Sequence, residues 1–368
     1  MQFLTILLMS TLSFSAIQPM ELREDDHVIF YNTYGYSDGD TWVVPMRIYV
    51  YEYRPGTLNL ITRFVRRIRD LNDEQAYFFR ERARDFIVDS ESRETVLFMF
   101  DDDPEQEIFG ITDDEGNYVR SSLNGIIEGD FRIPKERIDQ IVAHQQRDDG
   151  WLTIRAVSDG HTGSGKIKLL PEEGLSVISD VDDTIKITEI PAGAQIVVRN
   201  TFYKEFSPAT EIAELYETYD DAFFHYVSGS PWQLYRPLAE FAFSDEAGFP
   251  TGTFHMKSVT KNFLSLSTWR DLRELVLNED YTYDQKIEQI SDIFDHFPNR
   301  RFILSGDSGE RDPEVFNRIR ELYPDQVEKI YIRDVVNDRE LRPERLEGMT
   351  IIPAPTVFPG QTQFEWEN

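Results

Sequence analysis

The amino-acid sequence predicts two units of different fold class: a β-rich N-terminal unit carrying two helices, and an α/β unit built on a parallel sheet. Up to about residue 172, β-branched and aromatic runs are separated by recurring turn residues, which is typical of an all-β sandwich or barrel. After that point apolar runs alternate with helical stretches, which indicates a parallel sheet covered by helices on both faces. We therefore expect a β-rich domain at 21–172, an α/β domain at 173–345 and a C-terminal arm at 346–368.

The first strands of the N-terminal unit are predicted between His27 and Tyr53, where β-branched and aromatic residues flank the turn SDGD. Apolar residues from Leu58 to Leu71 then recur at helical spacing, and a second helical stretch runs to about Phe86. Later strands are predicted at ETVLFMF, QEIFGIT, NYVRSS, GIIEGDFRI, WLTIRAV and KIKLLP. These short strands predict a sandwich-like domain.

The two predicted helices hold seven arginines between Arg63 and Arg84, a basic zone in an acidic chain. Two interpretations are open. The helices are ordinary surface helices with solvated outer faces, or their arginines, interleaved with phenylalanines, contact anionic head groups of a lipid surface.

The α/β unit is predicted to contain five strands, SVISDV, FFHYVS, TFHMKSV, RFILSG and KIYIRDV. The helical stretches between them are Ala209–Tyr219, Trp232–Phe243, Trp269–Leu277 running into Asp284–Phe297, and Pro313–Leu322. This alternation predicts a five-stranded parallel sheet. The tail after Glu347 is rich in proline and polar residues and is expected to form a surface arm.

Composition excludes several classes of function. The 368 residues carry 67 acidic and 38 basic side chains, and the net charge of −29 disfavours binding to nucleic acid, which is itself polyanionic. A divalent metal or a cationic partner is more natural for such a chain. There is no cysteine, so disulfides, thiolate catalysis and cysteine-built metal centres are ruled out. The six histidines show no spacing that predicts a histidine-built metal site.

Residues 1–20 are the one segment that resembles a targeting signal. The run from Phe3 to Ala16 is uncharged and largely apolar, too short to span a bilayer as a helix but typical of the core of a secretory signal peptide. It lacks the usual basic residue in front of that core. We expect an exported protein, periplasmic or secreted, without an integral membrane segment after signal removal; a cytoplasmic or peripheral membrane location is the alternative.

Two other motifs are interpreted as structural. The stretch from Gly160 to Lys166 follows the spacing of a nucleotide-binding P-loop, but Ile167 stands where a magnesium-binding Ser or Thr is needed. The flanking strands make this stretch a hairpin instead of the opening of a helix that would cradle phosphates. Gly306–Gly309 resembles the nucleophile loop of serine proteases, yet no suitable base accompanies Ser308 in the sequence.

The strongest chemical signal is the pair Asp180 and Asp182 in DVDDT, at the C-terminal end of a predicted parallel strand. That end of an open α/β sheet is where ligands bind. If the chain curls as the strand finishes, both carboxylates face one ligand. One can then attack phosphorus while the other handles the proton of the leaving group.

Further candidate residues follow at positions that the same sheet edge would collect. Ser228 and Gly229 end the next strand and offer a hydroxyl and backbone N–H groups to phosphate oxygens. Lys286, near a predicted helix start, could neutralise a phosphoryl group. Asp307 ends a later strand and Asp312 begins a helix, and acidic groups gathered in this way require a cation among them.

This ordered set resembles the haloacid dehalogenase (HAD) superfamily of phosphotransferases. More closely, residues 174–334 are similar to the phosphatidate phosphatase catalytic-domain family, through the stretches GLSVISDVDDTIKIT, FHYVSGSPWQLY, GFPTGTFHM, FPNRRFILSGDSGERDPEVF and YPDQVEKIYIRD. The resemblance implies a HAD-like Rossmannoid fold and a Mg²⁺-dependent phosphatase. It implies Asp180 as nucleophile, Asp182 as acid and base, and a phosphate site at Thr184, Ser228, Gly229 and Lys286. It implies metal binding by Asp180, the backbone carbonyl of Asp182, Asp307 and Asp312.

The expected function is hydrolysis of a phosphomonoester through an aspartyl-phosphate, with phosphatidate as the substrate that the resemblance implies. A soluble phosphomonoester is one alternative, and a non-catalytic phospholigand-binding or scaffold protein is another. The complete set of nucleophile, acid/base, lysine and metal ligands argues against the scaffold. The oligomeric state does not follow from the sequence.

Overall fold

The computed structural model describes residues 27–145, 149–157, 163–259, 263–270 and 279–357. The predicted signal peptide and the tail from residue 358 onward lie outside the described residues. The strands are β1 His27–Phe30, β2 Thr33–Asp38, β3 Thr41–Tyr53, β4 Val88–Ser90, β5 Leu97–Phe100, β6 Phe109–Gly110, β7 Ile126–Pro134, β8 Trp151–Ala156, β9 Ser164–Leu169, β10 Leu175–Ser179, β11 Phe223–Pro231, β12 Gly252–Lys257, β13 Arg301–Asp307, β14 Val327–Asp334 and β15 Thr350–Pro353. The helices are α1 Pro55–Ile68, α2 Asp73–Ala83, α3 Lys135–His144, α4 Ala194–Phe202, α5 Thr210–Tyr216, α6 Tyr235–Ala242, α7 Leu266–Arg270, α8 Glu279–His296, α9 Asp312–Leu322 and α10 Asp338–Leu341.

The N-terminal strands form one mixed sheet of nine strands, in the order β1-β3-β2-β9-β8-β5-β6, with β4 and β7 also paired to β3. Strand β2 joins the two halves, because its first residues pair with β9 and its last residues pair with β3. Both halves contribute side chains to a single apolar core. The β-rich character is as predicted, whereas a sandwich of two separate sheets is not confirmed. The predicted strand NYVRSS forms only an isolated bridge at Tyr118, and α3 was not predicted.

The α/β unit is built on a parallel sheet of six strands in the order β12-β11-β10-β13-β14-β15. The prediction of five strands is wrong by one: Thr350–Pro353, assigned to the C-terminal arm, pairs in parallel with β14. Strand β10 lies inside the sheet, with β11 on one side and β13 on the other. The chain therefore reverses its direction of winding between β10 and β13, which is the place where open α/β sheets bind ligands.

Helices α1 and α2 belong to the core of the α/β unit, although they precede it in sequence. Leu58, Ile61 and Phe79 are buried in one apolar cluster with Val177 of β10 and Trp269 of α7. The arginines of these helices divide accordingly into exposed and buried ones. Arg63, Arg66 and Arg67 are exposed, whereas Arg82 is buried and its guanidinium lies 3.6 Å from the Phe206 ring centre.

The phenylalanines that the sequence places among these arginines do not form an exposed face. Phe79 and Phe86 are fully buried, and Phe64 packs against the same core. The apolar side chains that α1 does expose are Leu60 and Ile68. No helix within the described ranges is long and apolar enough to cross a bilayer.

A cluster of histidines lies where the N-terminal sheet meets the α/β unit. The hydroxyl of Tyr34 on β2 is 2.8 Å from Nδ1 of His296, and the Tyr34 ring also contacts His225 and His255. Thr253 Oγ1 links His225 and His255 at 3.0 and 3.1 Å. Burial lowers the pKa of His255 to about 4 and lowers the pKa of His225 well below its usual value. The interface therefore holds neutral imidazoles.

Acid should destabilise this interface. The pKa of His255 is about 4 in the folded protein and about 6.5 unfolded, so its contribution is complete above pH 6.5 and is lost as the pH falls toward 4. At pH 5 the loss should be about 1–2 kcal/mol. Urea unfolding at pH 7.5 and pH 5 should show a smaller pH dependence in His255→Gln than in the wild type. The exposed His144→Gln is the control, and equal pH dependence in all three proteins would contradict the expectation.

Candidate active site

The candidate site lies at the carboxyl ends of β10 and β13, which are neighbours in the sheet. Asp180 follows the last residue of β10, and Asp307 is the last residue of β13. The backbone N–H of Asp180 donates to the Ser305 carbonyl at 2.8 Å, which fixes the end of one strand against the other. The predicted strand-end acids are therefore brought together.

The chain turns sharply after β10, as the two-carboxylate motif requires. Asp183 adopts a left-handed conformation with φ of 57°, and its carboxylate accepts hydrogen bonds from the backbone N–H groups of residues 188–190 at 2.6–2.8 Å. The carbonyl of Asp183 accepts a hydrogen bond from Arg333 at 3.0 Å. Asp183 thus holds the turn that presents Asp180 and Asp182.

Asp180 and Lys286 form a buried ion pair. Nζ of Lys286, in the second turn of α8, donates to Asp180 Oδ1 at 2.7 Å and to Asp312 Oδ1 at 2.6 Å. The other oxygen of Asp180, Oδ2, is buried without a hydrogen-bond partner among the described residues. Burial raises the pKa of Asp180 well above its usual value; Lys286 opposes this rise, and the charges of Asp312 and Glu310 add to it. Oδ1 of Asp180 is therefore held by Lys286, while Oδ2 makes no hydrogen bond to the described residues.

Asp180, Asp307 and Glu310 offer three carboxylate oxygens that lie within 4.8 Å of one another, which is a spacing that a metal ion can bridge. Oδ1 of Asp307 accepts from the Gly309 and Glu310 backbone N–H groups, while its Oδ2 is buried without a partner in the described part of the chain. Burial, with the charge of Asp312 next, raises the pKa of Asp307 well above its usual value. Burial raises that of Glu310 to about 7. A hard cation would relieve this crowding of oxygen ligands.

Asp312 occupies a different position from the other predicted metal ligands. Its Oδ1 accepts from Lys286, and its Oδ2 accepts from the backbone N–H of Asp307 at 3.2 Å. It begins α9 and is fully buried. The geometry makes it a support for Lys286 and Asp307, and it is absent from the metal-sized group that contains Glu310.

Asp182 lies in a separate hydrogen-bond network. Its Oδ1 accepts from Lys186 Nζ at 2.5 Å and from Thr188 Oγ1 at 2.6 Å, and its Oδ2 accepts from Ser230 Oγ at 2.9 Å. Although burial acts in the opposite direction, Lys186 and these hydroxyls keep the pKa of Asp182 below its usual value. The two aspartates of the motif therefore carry opposite pKa shifts, because their immediate surroundings differ.

The remaining predicted residues lie at the same edge. Ser228 is fully buried, and its Oγ accepts from the Ser230 backbone N–H at 3.0 Å. Gly229 faces Thr282, because a Cβ at that position would come within 2.8 Å of the threonine methyl. Thr184 is fully buried and its hydroxyl has no partner within the described ranges. Their phosphate-binding roles stay predictions.

Sequence reasoning missed two residues of the site, Glu310 and Lys186. Glu310 lies in an irregular loop that has no periodicity, although its place between Asp307 and Asp312 was a local signal. Arg345, far along the chain, holds this loop by donating to the carbonyls of Ser308 and Glu310. Lys186 is a lone lysine after the DVDDT motif, and only the folded turn shows its contact with Asp182.

Two motifs were interpreted as structural, the near P-loop at Lys166 and the protease-like loop at Ser308. Both side chains have the structural surroundings expected from this interpretation. Lys166 lies in the middle of β9, opposite Thr153 of β8, and no helix follows it. The turn at 158–162 lies outside the described residues. The hydroxyl of Ser308 is buried and donates to Asp334 at 2.9 Å.

The part of the chain that carries the candidate site residues is similar to known proteins. Residues 175–334 match the profile described as "Phosphatidate phosphatase APP1, catalytic domain". The chain is 33% identical over 165 residues to Phosphatidate phosphatase APP1 of Saccharomyces cerevisiae, a match covering 44% of this chain and 26% of that protein. An uncharacterized protein of Schizosaccharomyces pombe is 26% identical over 215 residues, covering 55% of this chain and 33% of the relative. The chain thus spans about a quarter to a third of the length of these relatives.

A family two carbohydrate esterase from Cellvibrio japonicus aligns over 88% of this chain and 90% of its own, but with a TM-score of 0.22 and 9% identity. The match to the catalytic-domain profile, in contrast, covers β10 to β14 and every strand-end carboxylate described above. In its segment 175–334, this chain is thus similar to the catalytic domain of the phosphatidate phosphatase APP1 family.

Proposed function

We propose that this chain is a metal-dependent phosphatase that hydrolyses a phosphomonoester through an aspartyl-phosphate, with phosphatidate as the substrate. The observation that carries the proposal is the state of Asp180. Lys286 holds one of its oxygens, and the other is buried, unpaired and next to a metal-sized group of carboxylates. A carboxylate in this position is a nucleophile whose direction is fixed before substrate binds.

In the first step, Oδ2 of Asp180 forms a bond to phosphorus as the bond from phosphorus to the ester oxygen breaks. The negative charge of the bound phosphate would raise the pKa of Asp182 so that it takes up a proton, and Asp182 gives this proton to the departing oxygen, so that an alcohol leaves. Its Oδ2 is suited to carry that proton, because only Ser230 donates to this oxygen among the described residues, whereas Lys186 and Thr188 hold Oδ1.

In the second step, Asp182 takes a proton from water, and the resulting hydroxide attacks phosphorus. The bond between phosphorus and Asp180 breaks, which releases inorganic phosphate and restores the carboxylate. Asp182 has by then given up its proton, and its Lys186 and hydroxyl partners keep it a carboxylate that can accept one from water. Lys286 and the Ser228–Ser230 segment would hold the phosphoryl oxygens throughout.

The residues present fit a divalent cation such as Mg²⁺. Asp307 keeps a buried unpaired oxygen, and Asp180 and Glu310 each have a carboxylate oxygen within 4.8 Å of the group, all of the hard oxygen type that Mg²⁺ prefers. When bound, the ion would offset the negative charge that the phosphate and the carboxylates share.

Removal of the metal should abolish turnover. The protein, treated with EDTA and desalted, is expected to release no phosphate from p-nitrophenyl phosphate, and added Mg²⁺ should restore the rate. Without a cation, the buried carboxylates of Asp180 and Asp307 repel each other and the substrate phosphate, and burial disfavours their charged forms. Full activity in the presence of EDTA would contradict metal dependence, and absence of turnover under all conditions would favour the scaffold alternative.

A lipid substrate requires that a strongly acidic protein approach an anionic surface. The exposed face of α1 combines Arg63, Arg66 and Arg67 with the exposed apolar residues Leu60 and Ile68. Each basic residue near such a surface contributes about 1 kcal/mol of attraction. We therefore propose that this face contacts the membrane without the phenylalanines, of which Phe79 and Phe86 are buried and Phe64 packs against the core.

Reversal of these charges tests the lipid assignment. The triple change Arg63→Glu, Arg66→Glu and Arg67→Glu should lower the hydrolysis of phosphatidate in vesicles by at least tenfold, in line with the attraction lost. Hydrolysis of p-nitrophenyl phosphate should be unchanged, and added salt should reduce the wild-type rate on vesicles. Equal effects on both substrates, or on neither, would make α1 an ordinary surface helix and favour a soluble phosphomonoester.

A further inference from the structure

A large cavity lies beside the candidate site and has no part in the chemistry described so far. Its volume is about 480 Å³, within the range of small-molecule binding sites. One wall comes from the carboxyl edge of the parallel sheet, at Trp232 after β11 and Ser258 after β12. The facing wall comes from the N-terminal sheet, with Tyr49 on β3 and Ile126 on β7. The cavity is therefore built jointly by the two units.

The cavity begins two residues along the chain from a residue that contacts Asp182. Ser230, whose hydroxyl contacts Asp182, is two residues before Trp232, so their Cα atoms are at most about 7 Å apart. Asp182 is the group that, in the proposed function, gives its proton to the departing oxygen. Whatever is attached to that oxygen must extend away from the phosphate, and a cavity that begins within about 7 Å of Ser230 is within reach of it.

The lining favours a neutral group over an anionic one. Three carboxylates line the cavity, Asp85, Asp89 and Glu128, and Arg47 is its one lining cation among the described residues. Arg47 is already engaged: it pairs with Glu128, donates to Ser258 at 3.2 Å and lies 4.9 Å from the Trp232 ring centre. A second phosphate or carboxylate on the ligand would find no spare positive charge here.

The lining also has unused hydrogen-bonding capacity. Nε of Arg47 and Oε1 of Gln233 are buried without partners in the described part of the chain. Buried unpaired polar atoms are uncommon in native proteins, and a bound ligand is one way in which they are satisfied. Apolar and aromatic side chains form much of the remaining surface, namely Tyr31, Phe86, Trp232, Val259 and Phe263.

We infer that this cavity binds the organic part of the substrate, and that its occupant is an uncharged group combining ester or hydroxyl oxygens with apolar carbon. The glycerol ester region of a glycerophospholipid has this chemistry. The inference rests on the proposed phosphatase activity and adds a role for the N-terminal sheet: that sheet supplies the wall which selects the leaving group.

The test compares two substrates in variants of the cavity. Dioctanoyl phosphatidate has a leaving group that can fill the cavity, whereas acetyl phosphate is too small to reach it. Arg47→Met and Gln233→Leu should each lower kcat/KM for dioctanoyl phosphatidate about tenfold, through KM, because one buried polar contact is lost. Neither change should alter kcat/KM for acetyl phosphate.

Arg301→Met is the matched control. It removes an arginine at the start of β13, on the opposite edge of the sheet, where the side chain is 67% exposed and pairs with Glu328. It should leave both substrates unaffected. A glycerol carrying two phosphates should also be a poorer wild-type substrate than dioctanoyl phosphatidate by at least tenfold.

The outcomes separate the two proposals. If wild-type protein fails to hydrolyse even acetyl phosphate, the phosphatase proposal itself is wrong. If acetyl phosphate is hydrolysed but the cavity variants affect both substrates equally, or affect neither, the phosphatase proposal stands and the cavity has no role in selecting the leaving group. A preference for the bisphosphate would likewise overturn the inferred neutral occupant.

Discussion

Asp180→Asn should abolish phosphate release while leaving the fold intact. The amide cannot form the aspartyl-phosphate, so a loss on the order of a thousandfold or more is expected, as for other catalytic nucleophiles. The side chain keeps its size and its Oδ1 contact with Lys286. The change also removes one of the negative charges crowded around Asp307 and Asp312, so the melting temperature should be unchanged or higher.

The measurement is phosphate release from p-nitrophenyl phosphate, together with circular dichroism and thermal unfolding. Asp221→Asn makes the same chemical change at an exposed position just before β11, at the opposite edge of the sheet, and should be silent. A folded Asp180→Asn protein with activity close to that of the wild type would refute the covalent mechanism.

Lys286→Ala should lower kcat/KM by about a hundredfold or more, in line with the loss of a fixed charge at the transferring group. Lys286 is the cation nearest to the nucleophile, with Nζ 2.7 Å from Asp180. Its removal also leaves Asp180 and Asp312 without their shared partner, so some loss of stability should accompany the loss of rate.

Lys166→Ala is the matched control for this prediction. Lys166 is the lysine of the near P-loop, but it lies within β9 and should contribute nothing to catalysis. Both variants need assay at a temperature where each is folded. If Lys166→Ala proved the more damaging change, the phosphate site would have to be sought near residues 160–166 instead of at the end of β10.

The parts of the fold that follow from local pattern could be predicted, and those that depend on distant partners could not. The apolar run before Asp180 indicates a buried strand, and the acids after it therefore fall at a sheet edge. Strand β15 was missed because its four residues, TIIP, stand in a proline-rich tail, and only their pairing with β14 makes them a strand. Helix α3 was overlooked although Ile138 and Ile141 stand three residues apart and are buried on one face.

The residues of the candidate site likewise divide into those that local spacing predicts and those that depend on distant partners. Asp180, Asp182, Asp307 and Asp312 are visible because short fixed spacings tie them to strand ends and a helix start. Glu310 could not be chosen over neighbouring acids, since its position depends on Arg345, which is remote in sequence. The cavity at Arg47 could not be foreseen at all, because it exists only where lining segments that lie over a hundred residues apart in sequence, up to Glu128 and from Trp232, face each other.

The packing of α1 and α2 has a consequence for how the molecule unfolds. These helices supply buried side chains such as Ile61, Phe79 and Phe86 to a cluster that also contains Val177 and Trp269. A chain cut at the apparent domain boundary near residue 172 would leave that apolar surface uncovered, and the freed catalytic half would tend to aggregate. The segments that unfold together are thus not those that are adjacent in the sequence. Heating should melt α1, α2 and the catalytic sheet in a single transition.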